Sequence, residues 1–320
     1  MKLVLQLFLL AGLLWAPLTW ANEKTMDFLK RMNHAASNLN YDGVFLHIDG
    51  YRVDTLRVIH KAENNSVLER LYGLNGNPRE VIRDEVKVLC FMPERKMGHA
   101  GIRSDKKTGF PGFMIKNLEG LNDNYILTSG KVERIADRQA TSIKISPRDD
   151  FRYGYELWGD METGLLLKSV LFDVGNNVIE QYMFAFIEIG GDIPDTALQP
   201  MTSMNKLEWH NDISPPSNTP VSETAWYFTS LPDGYQLVNV MQRFMPMGNK
   251  QIEHMVLSDG LAGISVFIQP GENSSSESGL QSMGAVNAYT RVYDDQLVTV
   301  IGEVPAAAVK MIGDALEKRH

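Results

Sequence analysis

The seven histidines of this 320-residue chain, His34, His47, His60, His99, His210, His254 and His320, are scattered singly. His47-Ile48-Asp49 sets an imidazole and a carboxylate two residues apart, which on a strand places both on one face. A metal site needs a third or fourth donor. The sequence offers none nearby, so ordinary strand polarity is the plainer reading. The carboxylate pairs Asp149-Asp150 and Asp294-Asp295 fall where turns are expected, and aspartate is favoured in turns by its local hydrogen bonds to backbone. The chain contains no Gly-x-Ser-x-Gly elbow, His-Glu-x-x-His helix, P-loop or Gly-x-Gly-x-x-Gly turn. We therefore assign no catalytic residue, metal ligand or cofactor, and expect a binding protein rather than an enzyme. A hydrolase built from distant groups is a reading that motifs alone leave open.

Two segments have the composition of binding surfaces. In the first, Phe110, Phe113, Met114, Leu118 and Leu121 are spaced among glycines and preceded by Arg103, Lys106 and Lys107. Apolar groups there can line the mouth of a cavity while the cations meet an anionic head group, forming a lid over an acyl ligand. A core-packing helix behind a solvated basic loop explains the same residues equally well. In the second, Met241, Arg243, Phe244, Met245 and Met247 give flexible methionines around an aromatic, as on adaptable partner-binding surfaces. Core packing is the simpler account of these.

The elements that must position these groups are mostly strands. Met26, Leu29, Met32, Ala36 and Leu39 recur at spacings of three and four, which predicts one amphipathic helix over 23–39. Beyond Asp42-Gly43 come short β-rich runs at 44–48, 53–60, 67–72, 80–83 and 86–92, and Asn75-Gly76-Asn77-Pro78 marks a turn. Residues 97–124 break this rhythm and read as a loop plus a short helix. Strands resume at 125–128, 141–145, 153–158, 165–172 and 178–189. Consecutive antiparallel strands with one long helix suggest a curved sheet wrapped around that helix. An Asn-, Ser- and Pro-rich stretch at 205–220 reads as an extended linker. Strands at 236–243, 251–257, 263–268, 285–293 and 296–303 follow, and Pro305 opens a helix running to Glu317. The domain reading is thus 22–204, a linker at 205–220, and a smaller α+β domain at 221–320.

The compartment is written at the start of the chain. Lys2, the apolar run Leu3–Leu14 and Thr19-Trp20-Ala21 form an export signal cut after Ala21. The apolar run is shorter than the ~20 residues of a membrane span. Cys90, the single cysteine, has no partner for an intramolecular disulfide and sits in a predicted strand, where a small buried hydrophobe is a plainer role than a reactive thiol. Of 31 basic and 39 acidic residues the signal removes one base, leaving a net charge of −9. Such an acidic chain without a basic run is a poor match for nucleic acid.

Ile135-Ala136-Asp137-Arg138 and the run Pro147-Arg148-Asp149-Asp150-Phe151-Arg152-Tyr153-Gly154-Tyr155-Glu156-Leu157-Trp158 resemble the RseB/MucB family, periplasmic regulators of the extracytoplasmic stress sigma factor. The likeness continues through Asp160, Thr163–Ser169 and Glu180-Gln181. It recurs after the linker in Leu231-Pro232-Asp233-Gly234-Tyr235, Ser258-Asp259-Gly260-Leu261 and Val300–Pro305. The resemblance implies an α+β fold: an N-terminal half-open antiparallel β-barrel covered by helices, similar to the lipoprotein carriers, plus a smaller C-terminal α+β domain. It also implies a function in the periplasm. Such a protein binds the periplasmic region of a membrane-spanning anti-sigma factor, protects it from regulated proteolysis, and releases it on sensing lipopolysaccharide or the acyl chains of mislocalised lipoprotein. The alternative is a lipid or lipoprotein carrier without a regulatory partner, against which the second domain counts. No site residue is transferred on the family's authority, and self-association is left open. Release requires a ligand that prefers the state binding the partner poorly, with the linker as the natural hinge; tenfold weaker binding needs about 1.4 kcal/mol.

Overall fold

The computed structural model describes residues 16–63, 66–102, 115, 118, 120–212, 217–218, 224–245, 250–271 and 278–319. A helix, α1 (Ala16–Asn38), leads into an antiparallel run of β1 (Tyr41–Asp49), β2 (Arg52–Glu63), β3 (Ser66–Gly73), β4 (Glu80–Arg83), β5 (Lys87–Met92) and β6 (Met97–Ile102). After the helical turn α2 (Leu121–Asn124) come β7 (Tyr125–Ile135), β8 (Arg138–Pro147), β9 (Gly154–Asp160), β10 (Leu166–Phe172), β11 (Val178–Ile189) and β12 (Glu208–Asp212). Together they form one twelve-stranded sheet in the order β12-β6-β5-β4-β3-β2-β1-β11-β10-β9-β8-β7. Its end strands β12 and β7 do not pair with each other, so the expected half-open wrap is present without closure. No described helix is long and apolar enough to cross a membrane.

The sheet wraps α1 because α1 offers it a stripe of buried residues, Leu29, Met32, Ala35 and Ala36. Phe28 and Met32 seat on Gly159 of β9, where an added Cβ would lie 2.7 Å from the Phe28 ring. Phe45, Trp158, Leu165, Leu167 and Phe184 complete the core around Ala35. The two-residue hairpin between β7 and β8 turns through Ala136 and Asp137 at φ of 48° and 64°, as a type I′ turn requires. Arg138 then reaches the buried carboxylate of Asp160 at 2.9 Å, and Asp160 caps the following turn through the Thr163 N–H and hydroxyl.

Three expectations need correction. Residues 97–102 are strand β6 rather than loop, pairing with β5 from Met92↔Met97 to Lys87↔Ile102. Gly98 is there because the Trp209 ring lies over it, leaving 2.8 Å to an added Cβ, and not because the chain turns. Part of the expected linker is also strand. Residues 208–212 form β12, parallel to β6, and β13 (Ser217–Asn218) pairs with the second sheet. The closing helix, finally, ends early.

The second sheet runs β13-β15-β16-β17-β20-β19-β18, with β15 (Gln236–Met245), β16 (Lys250–Ser258), β17 (Gly263–Pro270), β18 (Gly279–Met283), β19 (Val286–Tyr293) and β20 (Gln296–Gly302). Helix α3 (Ala306–Ala315) covers it with buried Ala308, Val309 and Ile312, against Val266, Val298 and Val300. Beyond Ala315 the chain becomes β21 (Leu316–Lys318), paired with β14 (Trp226–Phe228). Leu316 completes the core opposite Phe228, and the Ala315 carbonyl accepts from the Thr229 N–H, which explains why the helix predicted to Glu317 stops at Ala315.

Candidate ligand cavity and domain junction

Alternation along β1 to β4 carries Phe45, Leu56, Leu71 and Val81 onto the inner face of the first sheet, past the part that α1 covers. They wall a cavity of about 410 Å³ together with Tyr72 and Tyr182. Its polar residues are unevenly placed: Arg52, Arg79 and Arg83 on β2 and the β3–β4 arm, facing His47, Asp49 and Asp54. Arg52 and Arg79 both reach the Asp54 carboxylate, at 2.9 and 3.2 Å, and Arg83 donates to Glu69 at 3.1 Å. An apolar floor with a guanidinium rim suits an amphipathic anion, since apolar surface removed from water drives entry and arginine forks read carboxylate or phosphate.

His47 and Asp49 do share a face, as their spacing predicts, and both border this cavity. His47 stacks on Tyr182 with ring centroids 4.4 Å apart and hydrogen-bonds Glu180. Among the described residues no group of histidine, cysteine, aspartate or glutamate is arranged to hold a metal ion. Cys90 lies in β5 beside Val81, half-buried, with burial pushing its thiol up from the ordinary value.

The lid and head-group residues divide. Phe110, Phe113, Met114, Arg103, Lys106 and Lys107 lie outside the described residues. Leu121 is fully buried with Leu29, Met32, Ile115 and Tyr125, and Leu118 packs on the same cluster, so these two face α1 and not the cavity wall. Met241 is buried in β15 opposite His254, in line with the core reading. Arg243, Phe244 and Met245 follow in the same strand, with side chains outside the described set, as is Met247 altogether.

A second constellation sits where the sheets meet. Arg152, in the β8–β9 connection, is completely buried; its Nη1 donates to Asp259 Oδ2 at 2.9 Å, its Nη2 to the Asp233 carbonyl at 2.5 Å and its Nε to Asp149 at 3.0 Å. The guanidinium lies 4.9 Å from the Tyr235 ring centre and 5.5 Å from that of Tyr125, whose hydroxyl also donates to Asp259 at 2.8 Å. Phe151 packs on the second domain's core and Leu261 on the first domain's. Asn287 of β19 donates to the Tyr153 hydroxyl at 3.0 Å. Asp149 keeps the turn role expected of it, accepting from the Phe151 N–H, and holds Arg152 as well.

The stretches singled out in the sequence thus converge here: 147–158, 231–235, 258–261 and 300–305. The readable signal was Arg152 itself, a charge inside a run of aromatic residues, where burial demands a partner.

Comparison with known proteins follows the same two-part division. Residues 24–202 match the model of the MucB/RseB N-terminal domain and residues 220–317 that of the MucB/RseB C-terminal domain. Among curated relatives, the Sigma-E factor regulatory protein RseB of Escherichia coli K12 is 29% identical over 316 residues, 96% of this chain and 94% of its own. The Sigma factor AlgU regulatory protein MucB of Pseudomonas aeruginosa is 28% identical over 313 residues, again 96% and 94% of the two chains. A crystal structure of MucB in complex with MucA(peri) superimposes with a TM-score of 0.70 at 25% identity, covering 92% of this chain and 98% of that one. The Pseudomonas aeruginosa MucA/MucB complex gives 0.72 at 25% identity, covering 93% and 99%.

Proposed function

The chain belongs to the MucB/RseB family, and from that premise we propose that it is an exported periplasmic regulator, with no catalytic role, that binds the periplasmic region of a membrane-spanning anti-sigma factor. In this reading it shields that partner from regulated proteolysis and releases it when the acyl chains and anionic groups of lipopolysaccharide or mislocalised lipoprotein occupy the cavity. Relatives named as sigma factor regulators, and MucB solved with MucA(peri), support the partner half. The observation that carries the ligand half is the cavity itself, whose aromatic and aliphatic floor and rim of Arg52, Arg79 and Arg83 match an amphipathic anion.

A carrier needs the cavity alone. Here the cavity is built into the same sheet that buries Arg152 against Asp233 and Asp259 of the second domain, so occupancy and domain arrangement can be coupled. A charge in the wall provides the test. Val81→Glu should weaken binding of lipopolysaccharide about tenfold or more while partner affinity stays within about twofold. Unchanged lipopolysaccharide binding would remove the cavity from the account.

A further inference from the structure

None of the three arginines on the cavity rim reaches it as a bare cation. Arg52 and Asp54 stand two residues apart on β2, hence on one face, and Arg52 grips the Asp54 carboxylate with Nε on Oδ2 at 2.9 Å and Nη2 on Oδ1 at 3.3 Å. Arg79, just before β4, donates to the same Oδ2 at 3.2 Å. Arg83 is matched in turn by Glu69, at 3.1 Å. The exposures are unequal. Arg52 and Arg79 leave 64% and 51% of their side chains open to solvent, whereas Asp54 leaves 13%. Two exposed guanidiniums therefore converge on one covered carboxylate in the cavity wall.

Behind Asp54 the wall is closely built. Asp54 lies directly opposite His47 in the β1–β2 register, with Nδ1 of the imidazole 3.9 Å from Oδ2. His47 is itself held by Glu180 and by stacking on Tyr182, its register partner on β11.

We propose that Asp54 is a built-in competitor for the cavity's arginines, a role that rests on the amphiphile reading given above. Its carboxylate holds the guanidinium forks until a head group displaces it, so the cavity rejects small free anions and accepts anions carried on an apolar chain. The reason is a balance of charges. A free anion reaching Arg52 and Arg79 exchanges one anion–guanidinium contact for another, and the displaced Asp54 charge stays beside it. Asp49 stands in the same wall and adds to the repulsion. Exchange without a further gain is therefore uphill. An apolar chain supplies that gain: burying it on Phe45, Leu56, Leu71 and Val81 removes methylenes from water whatever the head group does.

The test titrates the full mature chain, by calorimetry at low ionic strength, with inorganic phosphate, decyl phosphate and the uncharged decyl maltoside. The parent protein should bind decyl phosphate at least about tenfold more tightly than inorganic phosphate. Asp54→Asn keeps the size of the side chain and removes its charge. It should tighten both phosphates about tenfold or more and leave decyl maltoside within about twofold. Phosphate affinities unmoved by Asp54→Asn overturn the competitor, and binding of the decyl compounds would then leave the amphiphile reading standing without it. If Asp54→Asn gains inorganic phosphate while neither decyl compound binds, the competitor is supported and the amphiphile reading falls instead. Should the variant not fold, carboxyl ¹³C NMR of the parent decides. The Asp54 signal should move with decyl phosphate and stay in place with inorganic phosphate; a signal that ignores decyl phosphate overturns the competitor.

Discussion

Arg152 shows how much one side chain can contribute to this molecule. Its guanidinium is fully buried with every nitrogen donating, to Asp259, Asp149 and the Asp233 carbonyl, and two tyrosine rings flank it. Removing one member of such a pair leaves the other buried without compensation, a loss of about 3–5 kcal/mol. Arg152→Ala should therefore lower the free energy of unfolding read from a urea titration by that amount, or split unfolding into two transitions as the domains separate. A change under about 1 kcal/mol would show that Asp259 finds another partner or water. At this scale the sequence was only partly legible. It put Asp149 in a turn and His47 with Asp49 on one face, because turns and strand alternation are local. It could not show that Arg152 meets Asp259, since 107 residues separate them and only the packed fold closes that distance.

Elements were more legible than contacts. The helix, the meander and the β19–β20 hairpin follow from periodicity and turn residues, and all are present. What failed was the meaning given to glycine. Gly98 reads as a loop marker but sits in β6 under Trp209, and Gly159 sits in β9 under Phe28, both serving close approach across the fold. A side chain at Gly159 must push α1 off the sheet: Gly159→Val should cost about 1–3 kcal/mol in denaturant unfolding, whereas stability within error would mean that Phe28 repacks freely. The end of α3 was misplaced for a related reason. Helical periodicity continues through Leu316, but strand β14 captures the backbone there.

For the molecule as a whole, two sheets are joined at a buried ionic centre, and an amphipathic cavity opens in the first of them. Such a junction can exist in more than one arrangement, and a ligand shifts the balance only by its preference between them. Composition at 103–121 reads as a lid over a ligand, yet of those residues Leu118 and Leu121 pack against α1. The cavity walls come instead from β1 to β4 with Tyr182 of β11, and residues gathered from five strands by cross-strand pairing leave no single run in the sequence to mark them.

The central claim is that partner binding and amphiphile binding oppose each other on one protein. It is tested most directly by titrating the mature chain, by fluorescence anisotropy, into the labelled periplasmic region of its anti-sigma factor, with and without saturating lipopolysaccharide. The account predicts saturable binding whose apparent Kd rises about tenfold or more with the lipid, equivalent to about 1.4 kcal/mol of coupling. A Kd unchanged by lipid that demonstrably binds, or no binding of the periplasmic region at all, would contradict it.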